Sequence, residues 1–185
     1  MRIDTILNPN DKVVSGALSL GIYEQYETEL FRKTVKAGMT VVDIGAHVGY
    51  FTIIAARLVG ERGRVYSFEP SNDNRSFLTQ SVKVNSFRQV TVESFALAHG
   101  SGSAVLHLTN SNRGQHSLRP NPDATEEQDV KTISLDEYLH KNHITNVDVI
   151  KLDVEGFEYD VLLGMKSTLK TNDVKLFVEF SPDWL

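Results

Sequence analysis

Cysteine is absent from the 185 residues, so disulfides, thiolate metal sites and cysteine nucleophiles are excluded and any chemistry must use other groups. An excess of positive charge is also lacking. The 19 lysines and arginines are outnumbered by 24 aspartates and glutamates, a formal charge of −5, and the basic residues are scattered singly. That balance disfavours a phosphate backbone as ligand, and no nucleic-acid partner is expected. Long apolar runs are missing too: Val41 to Ala56, the most apolar region, is broken by Asp43 and His47 and is too short and polar to span a bilayer. The opening Met1-Arg2-Ile3-Asp4 lacks the basic region and apolar core of a secretory signal. A soluble, cytoplasmic protein with no membrane partner is expected. No internal repeat is present.

With 41% hydrophobic and 23% charged residues, the chain has globular proportions and material for one sizeable core. The expectation is a single domain over residues 1–185, with a helical segment over 1–38 and an α/β core over 39–185. Tyr23, Tyr26, Leu30, Phe31 and Val35 recur at helical spacing, and Gly38 is placed to end that helix. Strands are then expected at Thr40–Ile44, Arg64–Phe68, Val90–Leu97, Val147–Leu152 and Leu176–Phe180. Helices are expected over Tyr50–Val59, Asn72–Asn85 and Phe157–Leu169. This alternation is the signature of βαβ units around a parallel sheet. It lapses after the third strand: Ala104–Leu108 and Val130–Ile133 read as short extra strands, and Thr109 to Asp129, with Pro120 and Pro122, as a long loop. Ser134-Leu135-Asp136-Glu137 reads as a capping box that starts a further helix.

The strongest chemical signal is Val41-Val42-Asp43-Ile44-Gly45-Ala46-His47-Val48-Gly49-Tyr50, where a strand stops and a helix begins. Gly45 and Gly49 remove side chains where the backbone turns tightly and a ligand can approach, and the helix start offers free amides. Asp43 ends a buried strand, where an unpaired carboxylate is costly, so a cationic ligand group is a reasonable partner. Glu69 ends the second strand twenty residues past Gly49, near the separation at which dinucleotide folds place a ribose-binding acid. The glycine spacing lacks the middle glycine of G-x-G-x-x-G, and Asp43 is a poor neighbour for phosphate but a good one for an α-amino group. The balance favours S-adenosylmethionine over a nicotinamide cofactor.

Three segments together resemble the FkbM family of methyltransferases: Val42-Asp43-Ile44-Gly45-Ala46-His47-Val48-Gly49-Tyr50-Phe51-Thr52, Val65-Tyr66-Ser67-Phe68-Glu69-Pro70, and Ile150-Lys151-Leu152-Asp153-Val154-Glu155-Gly156-Phe157-Glu158. The resemblance runs from about Tyr23 to the C-terminus. It implies a Rossmann-like class I methyltransferase fold with a mostly parallel, doubly wound sheet and S-adenosyl-L-methionine as cofactor. It further implies that Gly45, Ala46, His47 and Gly49 contact the cofactor, that Glu69, followed by Pro70, binds the ribose hydroxyls, and that Asp43 sits near the methionine end. Asp153 joins that cofactor set, and the adenine lies around Ser94, Phe95 and Ala96. Two departures stand out. Ala98-His99 occupies a position where the family often carries an acid, and the residues after Phe180 are too few for the antiparallel strand hairpin that usually completes the fold, so a fold lacking that hairpin is expected.

The activity implied is methylation of a hydroxyl on a small molecule, sugar or natural product. An alcohol acceptor needs a base. Asp153 is the first candidate and Glu155 the second, both at the carboxyl end of the fourth strand, followed by His116 in the long loop. Glu155 and Glu158 also suit a helix start, where the dipole favours carboxylates. Lys151 reads as a strand-end amine paired with a nearby carboxylate, and no metal is required. The alternatives are a non-catalytic or truncated nucleotide-cofactor-binding Rossmann domain and an NAD-dependent oxidoreductase. If the sheet edge is open after the fifth strand, pairing with a second copy of the chain would cover it.

Overall fold

The run Thr40–Ile44, β-branched except at Asp43, forms the central strand β1 and is flanked on both sides by parallel strands, which bury nearly all of it. This computed structural model describes residues 4–9, 11, 13–21, 23–109, 116–120 and 122–179. Helices α1 (Val14–Leu20) and α2 (Gln25–Thr34) precede β1. After it come α3 (Tyr50–Val59), β2 (Arg64–Phe68), α4 (Asn72–Val84), β3 (Val90–Glu93) and β4 (Ala96–Leu97). Then follow β5 (Gly102–Leu108), β6 (Glu126–Ile133), α5 (Leu135–Lys141), β7 (Val149–Leu152), α6 (Glu158–Leu163), α7 (Lys166–Thr171) and β8 (Lys175–Val178).

The main sheet has the order β3-β2-β1-β7-β8 and every pairing in it is parallel. Alternation along the strands sends side chains to two cores. Val42, Ile44, Ile150 and Leu152 pack with Leu135, Tyr138, Val161 and Met165 on the α5–α7 side. Val41, Val65 and Val149 pack with Phe31, Phe51 and Ile54 on the α2–α3 side. Each fully buried side chain of this kind contributes about 1.5–3 kcal/mol. The chain thus has the doubly wound, Rossmann-like α/β architecture expected. Strand order reverses between β1 and β7, and a crevice at the carboxyl ends of such strands is where ligands bind.

Several elements depart from the sequence reading. The expected third strand, Val90–Leu97, is divided between sheets: β3 joins the parallel sheet, whereas β4 pairs with β6 in a separate three-stranded sheet of order β4-β6-β5. Strand β6 begins at Glu126, inside the stretch read as loop, and β5 pairs with it antiparallel over seven residues. Its polar sequence hides it, because only Val130 and Ile133 turn inward while the backbone ladder satisfies the rest. Gln128 pins this small sheet to the end of β2, donating to the Pro70 carbonyl and accepting from the Asn72 amide.

The expected helix Phe157–Leu169 is two helices, broken at Gly164 and Met165. A Cβ on Gly164 would lie 2.1 Å from the Ala98 carbonyl oxygen, and the Gly164 carbonyl accepts from the Asp136 amide instead of continuing the helix. The capping box is half formed: Ser134 Oγ accepts from the Glu137 amide at 3.2 Å, but the Glu137 carboxylate goes to Ser101 and Lys141 rather than back to the helix start. Residues 180–185 lie outside the described residues, and with them Phe180 and the region of the expected missing hairpin, as does Arg113-Gly114-Gln115. Among the described residues no helix is long and apolar enough to cross a membrane.

Candidate active site

The turn after β1 is shaped by contact with the rest of the protein. Gly45 has φ +78°, and a Cβ there would fall 1.7 Å from the Asp153 carbonyl oxygen, so the β1 and β7 turns meet backbone to backbone. Gly49 has φ +93°, and its missing side chain leaves room for Leu78 of α4. Both glycines therefore have a packing reason, where the sequence suggested ligand approach. The loop amides are also committed. Gly45 and Ala46 donate to the Phe68 carbonyl, Gly49 donates to that of Ala46, and the His47 amide donates to Glu69.

Glu69 is the centre of this end of the cleft. Only 5% exposed, its carboxylate accepts from the His47 amide at 2.8 Å and from the Ser71 amide at 2.8 Å, one to each oxygen. Burial pushes its pKa up to about 7, against the pull of those two amides. Each oxygen keeps a further lone pair for a ligand donor.

Asp43 is placed differently. It does not line the cleft but sits in a buried polar row across the sheet, level with Ser67 of β2 on one side and Lys151 of β7 on the other. The Thr52 hydroxyl donates to its carboxylate at 2.6 Å and lies 2.7 Å from the Ser67 hydroxyl. Burial raises its pKa, with Lys151 and Thr52 opposing. The partner that the sequence sought in a ligand is supplied by the protein.

Charge concentrates at the other end of the cleft and around Lys151 and Glu24, which line a neighbouring cavity that shares Glu179 with it. Lys151, only 7% exposed, sets its ammonium 2.7 Å from Asp153 Oδ2 and 4.7 Å from the centre of the Phe51 ring. Burial pulls its pKa down, but Asp153, Asp43 and Glu24 outweigh that and hold it above the usual lysine value. The carboxylates of Glu24, Asp153 and Glu179 come within 4.8 Å of one another, a grouping that suits a cation. Glu155 stands beside them in a left-handed conformation with φ +51°, and the Ser117 hydroxyl donates to its backbone carbonyl. Burial, then the charges of Asp153, Glu179 and Glu158, push the Glu155 pKa up to about 7. Glu179 is likewise pushed up to about 7, by burial and by Asp153 and Glu24.

Between these ends lies a cleft of about 800 Å³, counting its solvent-open part, roofed by Leu106 and Leu118 of the small-sheet layer. Of the residues singled out in the sequence, Gly45, His47, Glu69, Pro70, Phe95, Ala96, Asp153, Glu155 and His116 all line it. Asp43, Ala46, Gly49 and Ser94 do not. Sequence reasoning missed Tyr23, Asn74 and Glu179, which also line it. Glu179 follows β8 as Asp153 follows β7, a strand-end position that the sequence reading hid by running its fifth strand to Phe180. Four carboxylates face the cleft, from Glu69, Asp153, Glu155 and Glu179, and among the described residues no lysine or arginine lines it.

The profile of the methyltransferase FkbM domain matches residues 43–184. The chain belongs to that family. It is similar to the hexuronic acid methyltransferase AglP of Haloferax volcanii, with 29% identity over 138 residues, 70% of this chain and 51% of that protein. The chain thus spans about half the length of this curated relative. Among solved structures it resembles the methyltransferase FkbM of Methylobacillus flagellatus KT, with a TM-score of 0.54, 15% identity and coverage of 94% of this chain and 45% of that one. It also resembles the precorrin-6y C5,15-methyltransferase of Geobacter metallireducens GS-15, with a TM-score of 0.53, 13% identity and coverage of 88% and 66%. At these identities both likenesses concern the fold.

Proposed function

We propose that this chain forms the catalytic domain of an S-adenosyl-L-methionine-dependent methyltransferase acting on a hydroxyl of a small molecule, with a sugar acid the first acceptor to try. The observation that carries the reading is the charge of the cleft: four carboxylates line it with no lysine or arginine among the described residues. A pyrophosphate-bearing dinucleotide would meet repulsion there, and the amides of Gly45, Ala46, His47 and Gly49, which could cradle a phosphate, already have protein acceptors. A cationic cofactor fits the donor set. The family supports S-adenosyl-L-methionine, and the sugar-acid relative supports the acceptor class.

In this reading Glu69 accepts from the ribose hydroxyls, held in place by two backbone amides before any ligand arrives. The under-neutralised group of Glu24, Asp153 and Glu179 accepts the α-ammonium, with Lys151 keeping Asp153 oriented. S-adenosyl-L-methionine supplies an electrophilic methyl group on a sulfonium. Glu155 takes the proton from the acceptor hydroxyl, because a pKa of about 7 lets it be ionised and still basic near neutral pH. Asp153 is the poorer base, since its carboxylate is tied to Lys151. Holding the acceptor in line with the methyl group supplies much of the remaining acceleration.

Calorimetric titration with S-adenosyl-L-methionine and, separately, NAD tests the cofactor. Selective binding of the former, weakened by Glu69→Ala, is expected; binding of NAD alone would overturn the reading. Transfer of labelled methyl to hexuronic acids, with mass spectrometry locating it on oxygen, tests the acceptor.

A further inference from the structure

Asn74 is a buried side chain that the proposed function does not use. It lies in the first turn of α4, is 1% exposed, and lines the cleft. Its amide oxygen Oδ1 is shut off from solvent and has no hydrogen-bond partner among the described residues. A buried carbonyl left without a donor costs free energy, and this one belongs to a residue that lines the cleft.

Position decides which part of a ligand it would meet. Asn74 and Leu78 are four residues apart on α4 and share a face, and Leu78 fills the space left by Gly49 in the β1 turn. The side chain is therefore on the same side of the cleft as that turn and Glu69. The local chain ties them further: the Asn74 amide donates to Ser71 Oγ, and the Ser71 amide donates to the Glu69 carboxylate. The terminal amide torsion of asparagine is broad, so rotation about it can turn Oδ1 towards a donor in the cleft.

We propose that Asn74 is a second ribose-recognising residue, its amide oxygen accepting from one of the two vicinal hydroxyls while Glu69 takes the other. This rests on the S-adenosyl-L-methionine reading. It makes the Glu69 end of the cleft selective for a nucleoside carrying both hydroxyls.

The test measures binding of S-adenosyl-L-homocysteine, its 2′-deoxy and 3′-deoxy analogues, and an analogue with purine in place of adenine, to wild type, Asn74→Ala and Asn74→Leu. Expected is about a tenfold loss for the parent ligand in both variants, shrinking to less than about twofold for the one deoxy analogue that lacks the contacted hydroxyl. Asn74→Leu replaces an unsatisfied carbonyl with an apolar group of similar size, so the melting temperature of the ligand-free protein is expected to hold or rise. Equal losses across all four ligands, or a drop in ligand-free melting temperature in both variants that accounts for the weaker binding, would overturn the proposal and leave Asn74 a packing residue. Loss confined to ligands that carry the adenine 6-amino group would also overturn it, by moving the contact to the base. If wild type binds none of the four, the cofactor reading itself fails and this inference falls with it.

Discussion

The two ends of the cleft solve the burial of negative charge in opposite ways. At one end Glu69 is a single carboxylate with a backbone amide on each oxygen. At the other, Glu24, Asp153 and Glu179 crowd together, Glu155 stands beside them, and one buried lysine serves the group. At the first end the Glu69 carboxylate is held in place by the protein before any ligand arrives and acts as a template. The second is short of positive charge, so cations and protons are what it takes up. A fold that must both hold a nucleoside and move a proton benefits from keeping these tasks apart.

The largest effect should come from removing the lysine. Lys151→Met leaves the buried Asp43 and the half-buried Asp153 without their cation, at a cost of about 3–5 kcal/mol near pH 8. Asp43 and Glu24 have raised pKa values, so the folded state takes up protons more readily than the unfolded chain, and the penalty should shrink toward pH 5. Urea unfolding at both pH values reads this. A pH-independent cost would erase the contrast between the ends.

Next is Glu155→Gln, expected to lower kcat about a hundredfold while leaving the Kd for S-adenosyl-L-homocysteine unchanged. Wild-type kcat should rise with pH through about 7 and the variant should lose that limb. A fall in affinity instead of kcat would make Glu155 part of the template.

Glu69→Gln acts at the other end, and adenosine, which has a ribose but no ammonium, is the probe that isolates it. Wild-type affinity should rise about tenfold from pH 6 to pH 8 as a group with a pKa of about 7 ionises, and Glu69→Gln should bind more weakly with a flat profile. The linkage runs the other way for folding. The stability that Glu69 contributes is present below its unfolded value near 4.5 and is lost as pH rises through about 7, so the variant should gain on wild type at pH 8.

Smallest of all, Ser134→Ala removes a helix cap that does not line the cleft. A loss of about 1 kcal/mol, or about 2–4 °C in Tm, with ligand affinities untouched would show that the larger effects are local.

Much of the parallel sheet was legible because its central strands, β1 and β7, are buried on both faces and are mostly apolar. Thr40–Ile44, Tyr50–Val59 and Arg64–Phe68 fall where their composition puts them. The small sheet was not, since β6 is mostly polar and owes its form to pairing with β5. In the site, Glu69 was legible from its place at a strand end. The partners of Asp43 were not, because Thr52, Ser67 and Lys151 are brought to it by helix packing and strand register.

By itself the sequence determined that this is an α/β chain with acids at the carboxyl ends of parallel strands, because strand burial and residue type are local properties. Only the tertiary structure decided which acids share a cavity, which are neutralised by the protein, and that Glu179 and Asn74 join them. Those outcomes depend on distances between segments far apart in the chain, and on a dielectric that exists only once the core has closed around them.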